Sequence, residues 1–481
     1  MTRYEPTIGL EVHAQIHTRS KMFCGCPVVE DTGNLEPNTY VCPVCTAMPG
    51  VLPVVNQQAV EIAVQTGLAL GCTIPPVNRF ARKSYFYPDL PKGYQVSQYA
   101  LPVAVDGELT FDVAGAHRTV RIRRAHLEED AGKLYHGNGG SRVDLNRAGV
   151  PLLEIVSEPD MHSPEEARAY GEALRQILVY LEVNSGNMER GVMRFEANVS
   201  VRPSRSDEMG ARHEVKNLNS FRALHDSIAH EINQQIQTLE GGGVVEQQTM
   251  GWNEVEGVTV PQRGKEFAHD YRYFPEPDIP PIEISREEVE ALRDALPELP
   301  RAKQSRFVGE YSLTDYDARV LVEDKAVADT FERVIEAGAP PKQAANWITG
   351  ELFRLLKARG RSIADIKTSP EQLAELIDLV ERDTINQTTA KDVLEQMVET
   401  GRAARPIVEE QGLAQMSDQA EVRSIVTQVL DRNPEQVQEY LAGKHQVIGW
   451  FIGRIMRATR GKANPQLARD LLTEQLEIRR G

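Results

Sequence analysis

The sequence lacks a stretch that could cross a membrane, because no run approaches the ~18 uninterrupted apolar residues of a transmembrane helix. Its start, MTRYEPTIGLEV, has neither the basic and apolar regions of a signal peptide nor the Arg- and Ser-rich character of a transit peptide. We therefore predict a cytoplasmic protein that makes no membrane contact. With 481 residues the chain is too long for one hydrophobic core, and two or three domains are expected.

Positive charge is also scarce. The chain has 54 Lys and Arg against 70 Asp and Glu, and its formal net charge of −16 argues against attraction of the whole molecule to nucleic acid. The balance reverses in residues 444–481, where basic side chains outnumber acidic ones. If the chain contacts a polyanion, we expect the contact at this end.

The glycine-rich loops that bind nucleotide phosphates are absent as well. The sequence contains neither the pattern G-x-x-x-x-G-K-[ST] nor the pattern G-x-G-x-x-G. Any phosphate chemistry must therefore depend on a metal ion and carboxylates.

Several short stretches alternate strictly between apolar and polar residues, which predicts half-buried strands. In IGLEVHAQI (8–16), Glu11 and His13 fall on the same polar side and offer two ligand types for one divalent cation. The alternative is a strand whose polar side faces water. The same choice applies to MRFEANVSVR (193–202), PLLEIVSEP (151–159), HEVKNLNSF (213–221) and AHLEEDAGK (125–133). Five such stretches favour one antiparallel sheet whose acidic side lines a cleft.

Two further segments have a chemical interpretation beside a structural one. ARKSYFYPDLPKGYQVSQY (81–99) combines basic and aromatic residues and suits a nucleotide-contacting loop, although an aromatic core strand is the alternative. Cys24, Cys26, Cys42 and Cys45 have a spacing that resembles a zinc knuckle, and a disulfide is disfavoured in a cytosolic chain. We predict structural Zn²⁺ here, with free thiols as the alternative.

The pattern changes along the chain, and we predict an α+β protein. Residues 1–293 are rich in turns and short strands, with one clear helix in SPEEARAYGEALRQILVYLEV (163–183). Helical patterns dominate residues 294–405, and residues 406–481 have the periodicity of a small helical tail bundle.

The stretches IGLEVHAQI, YFYPDLPKGYQVSQ, HLEEDAGK, DLNRAGVPLLEIVSEPD, EVKNLNSF and DYRYFPEPDIPP resemble the successive signatures of one family. It is the B subunit family of the aspartyl/glutamyl-tRNA(Asn/Gln) amidotransferases. GWFIGRIMRATRGKANP (449–465) is similar to the tail domain of that family. The resemblance implies a cradle domain related to the glutamine synthetase catalytic sheet, followed by a helical domain and a tRNA-binding tail.

The resemblance also implies a reaction. ATP activates the side-chain carboxylate of Glu or Asp misacylated on tRNA as an acyl phosphate, and ammonia then displaces the phosphate. The implied partners are the amidase, which is the A subunit of the amidotransferase, its small C subunit, and misacylated tRNA. The implied cofactors are ATP and Mg²⁺.

The resemblance assigns roles to individual residues. The expected Mg²⁺ ligands are Glu11, His13, Glu129, Glu154 and Glu214. Catalysis is expected from Glu129, Glu214 and Lys216, and ATP binding from Arg82, Lys83, Tyr85 and Asn146. In the tail, helical spacing places Phe451 and Ile455 toward the core and Arg454, Arg457 and Arg460 on another side, close to Lys462. We expect these four basic residues to contact tRNA, with a solvated basic surface as the alternative. The role of Glu196 is left open, because Phe195-Glu196 stands where the family commonly has Cys-Asp.

Two other functions fit parts of this pattern. One is an ATP-dependent ligase for a free small carboxylate, against which the basic tail argues. The other is a non-catalytic tRNA-binding scaffold, which is hard to reconcile with the five acidic strand motifs. The sequence does not choose between Glu-tRNA(Gln) and Asp-tRNA(Asn) as substrates.

Overall fold

The computed structural model describes residues 4–30, 35–137, 139–204, 208–262, 271–415, 419–459 and 462–480. The chain divides into two compact units, Met1–Pro300 and Arg301–Gly481. The first unit is built on a large β-sheet and the second is helical, so the predicted α+β class is confirmed. The further division of the chain at residues 293 and 405 stays a prediction.

Most strands of the first unit are short, and four of them have ten or more residues. In chain order they are β1 (Tyr4–Gln15), β2 (Val77–Asn78), β3 (Phe80–Ser84), β4 (Tyr94–Gln98), β5 (Ala104–Val113), β6 (Ala116–Glu129), β7 (Lys133–Gly137), β8 (Gly140–Asp144), β9 (Pro151–Ser157), β10 (Met193–Pro203), β11 (His213–Leu218), β12 (Gln248–Asn253), β13 (Val258–Pro261), β14 (Phe274–Pro275) and β15 (Ile282–Glu283). Its helices are α1 (Gln57–Ala69), α2 (Pro164–Tyr180), α3 (Phe221–Glu240) and α4 (Arg286–Asp294).

Eleven of the described strands form one sheet in the order β13-β12-β11-β10-β1-β9-β6-β4-β3-β14, with β5 paired to β6. The pairs are antiparallel as predicted, except that β11 and β12 run parallel. The exception has a topological cause. Because α3 lies between these two strands in the chain, it returns the backbone to the starting edge in the manner of a β-α-β crossover.

One side of the sheet is apolar and carries the core of the unit. Ile8, Leu10, Val12 and Ala14 of β1 are fully buried there, together with Phe195, Ala197 and Val199 of β10. The predicted helix at 163–183 is α2; Ser163 caps it by accepting a hydrogen bond from the Glu166 N–H at 3.1 Å. Since successive residues of a strand point to opposite sides, burying this set leaves the polar set on the other side of the sheet.

The second unit contains α5 (Pro300–Tyr311), α6 (Asp315–Val322), α7 (Lys325–Glu336), α8 (Pro341–Asn346), a π-helical turn (Trp347–Leu352), α9 (Phe353–Arg359), a 3-10 turn (Ile363–Asp365), α10 (Pro370–Glu381), α11 (Gln387–Thr400), α12 (Ala404–Glu410), α13 (Gln419–Asp431), α14 (Pro434–Leu441), α15 (Val447–Ala458) and α16 (Pro465–Ile478). Their buried apolar residues form two separate clusters, one running from Phe307 to Val408 and one from Val422 to Leu476. In the part of the chain that the structure describes, every helix falls short of the length and apolar character needed to cross a membrane.

Candidate functional site

The polar side of the sheet, called here the polar face, brings together side chains from distant parts of the chain. β1 lies between β10 and β9, so that His13 is opposite both Arg194 and Glu154. One strand further, Glu154 is opposite His126 of β6. The row Arg194, His13, Glu154, His126 therefore crosses four neighbouring strands.

Two groups of potential metal ligands lie on this face. His13, Glu128 and Glu154 form the first, which we call the histidine cluster, and their ligand atoms lie within 4.8 Å of one another. His13 Nε2 is 3.4 Å from a Glu154 oxygen and 3.6 Å from a Glu128 oxygen. Burial alone would lower the pKa of His13, but the hydrogen bond and negative charge of Glu154 raise it to about 9.

Glu11, Glu196 and Glu214 form the second group, which we call the carboxylate cluster, with ligand atoms within the same 4.8 Å. Burial, followed by repulsion from nearby carboxylates such as Glu154 and Glu196, raises the pKa of Glu11. Lys216 Nζ donates a hydrogen bond to Glu196 at 3.1 Å and lies 3.7 Å from Glu214. Three carboxylates this close repel one another unless a cation compensates them.

The donor atoms decide which ion each cluster suits. The carboxylate cluster offers only oxygen atoms, which Mg²⁺ prefers. The histidine cluster adds an imidazole nitrogen, which Mg²⁺ seldom binds directly and which Mn²⁺ accepts more readily. The residues present fit a divalent-cation centre.

Of the predicted metal ligands, the structure places Glu11, His13, Glu154 and Glu214 in these clusters but not Glu129. Glu129 pairs with Lys92 and accepts a hydrogen bond from the Val96 N–H at 2.9 Å. The reason is strand alternation: Glu128 points to the same side as His126, and Glu129 points the other way. In this structure Glu128, and not the predicted Glu129, therefore belongs to the histidine cluster.

Of the residues predicted to contact ATP, Arg82 and Lys83 are consecutive in β3 and so point to opposite sides of the sheet. Arg82 donates two hydrogen bonds to Glu276, both at 2.7 Å, and is therefore held by an ion pair. Lys83 lies among aromatic rings, with Nζ 4.9 Å from the centre of Tyr271 and 5.7 Å from that of Tyr85. Burial would lower the pKa of Lys83, but nearby Tyr273 and Glu128 raise it. Asn146 uses its side-chain amide to hold the backbone at Tyr40 and Glu36.

The four clustered cysteines come together as their spacing predicts, with all sulfur atoms within 4.8 Å of one another. The Cys42 N–H donates to Cys45 Sγ at 3.1 Å, and Lys21 Nζ lies 3.7 Å from the same sulfur. A hydrogen bond between the side chains of Cys24 and Cys45 raises the pKa of Cys24 and lowers that of Cys45. Four sulfur donors at this separation are the ligand set of a structural zinc site.

In the tail, α15 buries Phe451 and Ile455 completely, while Arg454, Arg457 and Lys462 are exposed. Arg460 lies outside the described residues. Arg454 stacks over Trp450, 5.2 Å from the ring centre. We call these three exposed cations the basic surface of the tail.

Sequence reasoning missed two side chains of the polar face. Glu128 completes the histidine cluster, and His126 lies 3.2 Å from Glu154. The signal that identifies them is the period of β6: a His two residues before one of two adjacent acids selects that acid for the same side.

Comparisons with known proteins agree with one another. The family model described as the GatB/GatE catalytic domain matches residues 6–290, and the model described as the GatB domain matches residues 329–476. The chain is 50% identical over 476 residues to the B subunit of the aspartyl/glutamyl-tRNA(Asn/Gln) amidotransferase of Thermodesulfovibrio yellowstonii, covering 99% of this chain and 100% of that relative. It is 52% identical over 479 residues to the protein of the same name from Thermomicrobium roseum, covering 98% and 99%.

Proposed function

The chain belongs to the GatB/GatE family, and on that premise we propose that it is the activating subunit of a tRNA-dependent amidotransferase. In this proposal, ATP phosphorylates the side-chain carboxylate of Glu or Asp misacylated on tRNA(Gln) or tRNA(Asn). Ammonia supplied by a partner amidase then converts the acyl phosphate to the amide. The enzyme is in this sense a ligase that forms a carbon–nitrogen bond.

One observation carries the proposal: two clusters of metal-ligating side chains and a lysine share one face of the sheet. In the first step a carboxylate oxygen of the substrate attacks the γ-phosphorus of ATP, and ADP leaves. In the second step ammonia attacks the acyl carbon, inorganic phosphate leaves, and the ammonia nitrogen loses a proton. Both steps move negative charge between oxygen atoms, and that charge would be stabilised by the Lys216 ammonium and by a cation held between the carboxylates.

Individual residues have distinct parts in this proposal. Glu11, Glu196 and Glu214 would hold Mg²⁺, with His13, Glu128 and Glu154 as a second set. When bound, the ion supplies charge neutralisation to the phosphate oxygens. Lys216 lies at the edge of the carboxylate cluster, 39% exposed, and we propose that its ammonium binds a phosphate oxygen.

For ATP itself we keep Lys83 and Tyr85 as proposed contacts on the polar face. Arg82 and Asn146 are engaged in holding neighbouring backbone and acids, and we propose that they support the site without touching the nucleotide.

The ammonia source lies outside this chain in our proposal. Four of the five cysteines are in the sulfur cluster, and Cys72 is buried. The relatives are named as one lettered subunit of an amidotransferase, which indicates an assembly of several subunits. We therefore propose two protein partners, an amidase as the A subunit of the assembly, and a small protein as its C subunit.

The test is amidation by the chain assembled with these partners, supplied with glutamine, ATP and Mg²⁺. We expect conversion of Glu-tRNA(Gln), of Asp-tRNA(Asn) or of both, together with ATP hydrolysis that depends on the misacylated tRNA. Equal ATP hydrolysis with free glutamate would instead indicate a small-molecule ligase. Absence of Mg²⁺-dependent ATP hydrolysis in the active assembly would indicate a scaffold.

The tail offers a separate prediction about tRNA binding. Replacing Arg457 and Lys462 together by glutamine should weaken binding of any tRNA sequence about equally, because phosphate contacts carry no sequence information. The slope of log affinity against log salt should flatten by roughly one unit per lost contact. Both quantities come from filter-binding titrations at several salt concentrations.

A matched control removes the same charge elsewhere in the tail. Arg423 and Arg479 are paired with Glu474 and Asp431, so their double replacement should leave the salt slope unchanged. If the Arg457/Lys462 variant binds tRNA with wild-type affinity and slope, the basic surface of the tail faces solvent and does not contact tRNA.

A further inference from the structure

One arginine of β6 differs from its neighbours on the strand. Arg118, Arg121 and Arg123 each bind a carboxylate, those of Glu166, Asp160 and Glu158 respectively. Arg124 is only partly exposed, and no carboxylate among the described residues lies within ion-pair distance of it. Its Nε is buried and has no hydrogen-bond partner in the described part of the chain. Such a group is costly unless a ligand satisfies it.

Strand alternation fixes the side to which Arg124 belongs. Ala125 and Leu127 are fully buried in the core, so Arg124 points to the same side as His126 and Glu128, which is the polar face. His126 is 3% exposed, and its Nδ1 is a second buried polar atom without a partner in the described structure. Beside the histidine cluster, the Arg124 Nε–H can therefore donate a hydrogen bond to a ligand, and His126 Nδ1 can donate or accept one according to its tautomer.

Two tyrosines adjoin Arg124. The rings of Tyr99 and Tyr273 are stacked, with centres 4.2 Å apart and planes inclined by 10°. The guanidinium carbon of Arg124 is 5.9 Å from the centre of the Tyr99 ring. Tyr99 is 42% exposed, which leaves part of this aromatic surface accessible.

The pair reaches toward the histidine cluster. Burial, opposed by the charge of Lys83 and assisted by the charges of Glu128 and Glu154, raises the pKa of Tyr273 to about 12. Ser97 of β4 is opposite Glu128 of β6, and Tyr99 follows Ser97 by two residues, so the tyrosine pair lies beside the strand that carries Glu128. A ligand on the tyrosine pair would lie next to the site at which we place phosphate chemistry.

We propose that Arg124, Tyr99 and Tyr273 form a subsite of the polar face that binds an adenosine carrying a phosphate group. An exposed aromatic ring stacks any nucleobase, and a guanidinium fork binds phosphate oxygens in a bidentate manner. The inference rests on the proposed function, because that function brings two such ligands to this face. One is ATP, and the other is the 3′-terminal adenosine of tRNA, which carries the amino acid.

The test uses the full-length chain assembled with its partner subunits, in three variants. Arg124→Gln removes the guanidinium, and Tyr99→Leu removes an exposed ring at small risk to folding. Arg121→Gln is the matched control, since it deletes the same charge from the same strand at a side chain that is 68% exposed and bound to Asp160.

Two binding measurements distinguish the sources of the adenosine. The first is the affinity for a non-hydrolysable ATP analogue with Mg²⁺, measured by calorimetry. The second is the ratio of affinities for intact tRNA and for tRNA that lacks its 3′-terminal adenosine. We expect Arg124→Gln and Tyr99→Leu to lower at least one of these two quantities, the analogue affinity or the ratio of tRNA affinities, by about fivefold to a hundredfold. Arg121→Gln should behave as wild type in both.

Each outcome has a defined meaning. A loss confined to the first measurement assigns the subsite to ATP, and a loss confined to the second assigns it to the tRNA terminus. Losses in both assign it to each ligand, provided that the variants melt at the wild-type temperature. Wild-type values in both measurements for both variants would overturn the proposal. Because neither measurement needs turnover, they remain interpretable even if the wild-type assembly fails the amidation test, which would contradict only the proposed function.

Discussion

We expect replacement of Glu214 by glutamine to lower the rate of tRNA-dependent amidation by about a thousandfold, without lowering the stability of the metal-free protein. Glu214 is buried in the carboxylate cluster with Glu11 and Glu196. Loss of a metal ligand removes transition-state charge neutralisation worth several kcal/mol, and about 4 kcal/mol corresponds to three orders of magnitude in rate. Rates come from single-turnover amidation at saturating ATP and Mg²⁺.

The stability half of this prediction separates a functional role from a structural one. Glu214 helps to raise the pKa of Glu11 through like-charge repulsion. Removing one of three mutually repelling charges should therefore leave the metal-free melting temperature unchanged or raise it. If the role of Glu214 were structural, its replacement would instead lower the melting temperature of the metal-free protein, and the loss of amidation would follow the loss of folded protein.

The matched control for Glu214 is Glu254→Gln. Glu254 follows β12, and its exposed carboxylate pairs with Arg222, whose side chain is also exposed. An exposed pair of this kind contributes about 1 kcal/mol at most, so amidation should be normal. Near-normal amidation by Glu214→Gln itself would remove that residue from the metal site.

The second large effect is expected at the four cysteines. Between β1 and α1 the described residues form no helix and no strand longer than an isolated bridge, so this segment has little structure of its own to stabilise it. Small metal-bound segments take most of their folding free energy from the ion. We expect about one zinc per chain in the wild-type protein, and loss of that zinc in Cys42→Ser and Cys45→Ser. The free energy of unfolding of both variants should be lower than that of the wild type by several kcal/mol.

Cys72→Ala is the matched control for the zinc prediction. Cys72 is buried in the core of the sheet unit, away from the sulfur cluster, and its replacement should keep one zinc per chain. The measurements are elemental analysis and chemical denaturation with and without a chelator. Zinc-free protein whose stability does not respond to the chelator would favour free thiols.

Local periodicity accounts for the parts of the structure that the sequence predicts correctly. The alternation of residues 8–16 places Val12 in the core and His13 on the polar face, as the structure has them. The helical period of α15 likewise buries Phe451 and Ile455. In both cases a few consecutive residues contain the whole signal, because burial of one side follows directly from the repeat.

Long-range pairing accounts for what the sequence does not reveal. Glu128 and Glu129 are chemically equal in the sequence, and only the position of β6 beside β9 shows which of them meets Glu154. Arg82 pairs with Glu276, 194 positions further along the chain, and the composition around Arg82 gives no sign of this partner. Neither fact follows from local composition, since each depends on which strands become neighbours.

The central claim is that the carboxylate of the tRNA-borne amino acid becomes an acyl phosphate on this chain. The most direct test supplies the assembled enzyme with Glu-tRNA(Gln) whose side-chain carboxylate is labelled with oxygen-18, plus ATP and glutamine. The account predicts that each amide formed transfers one labelled oxygen to inorganic phosphate, which mass spectrometry detects. Amide formation with unlabelled phosphate would mean that the carboxylate oxygen never bonds to phosphorus, and would contradict the account.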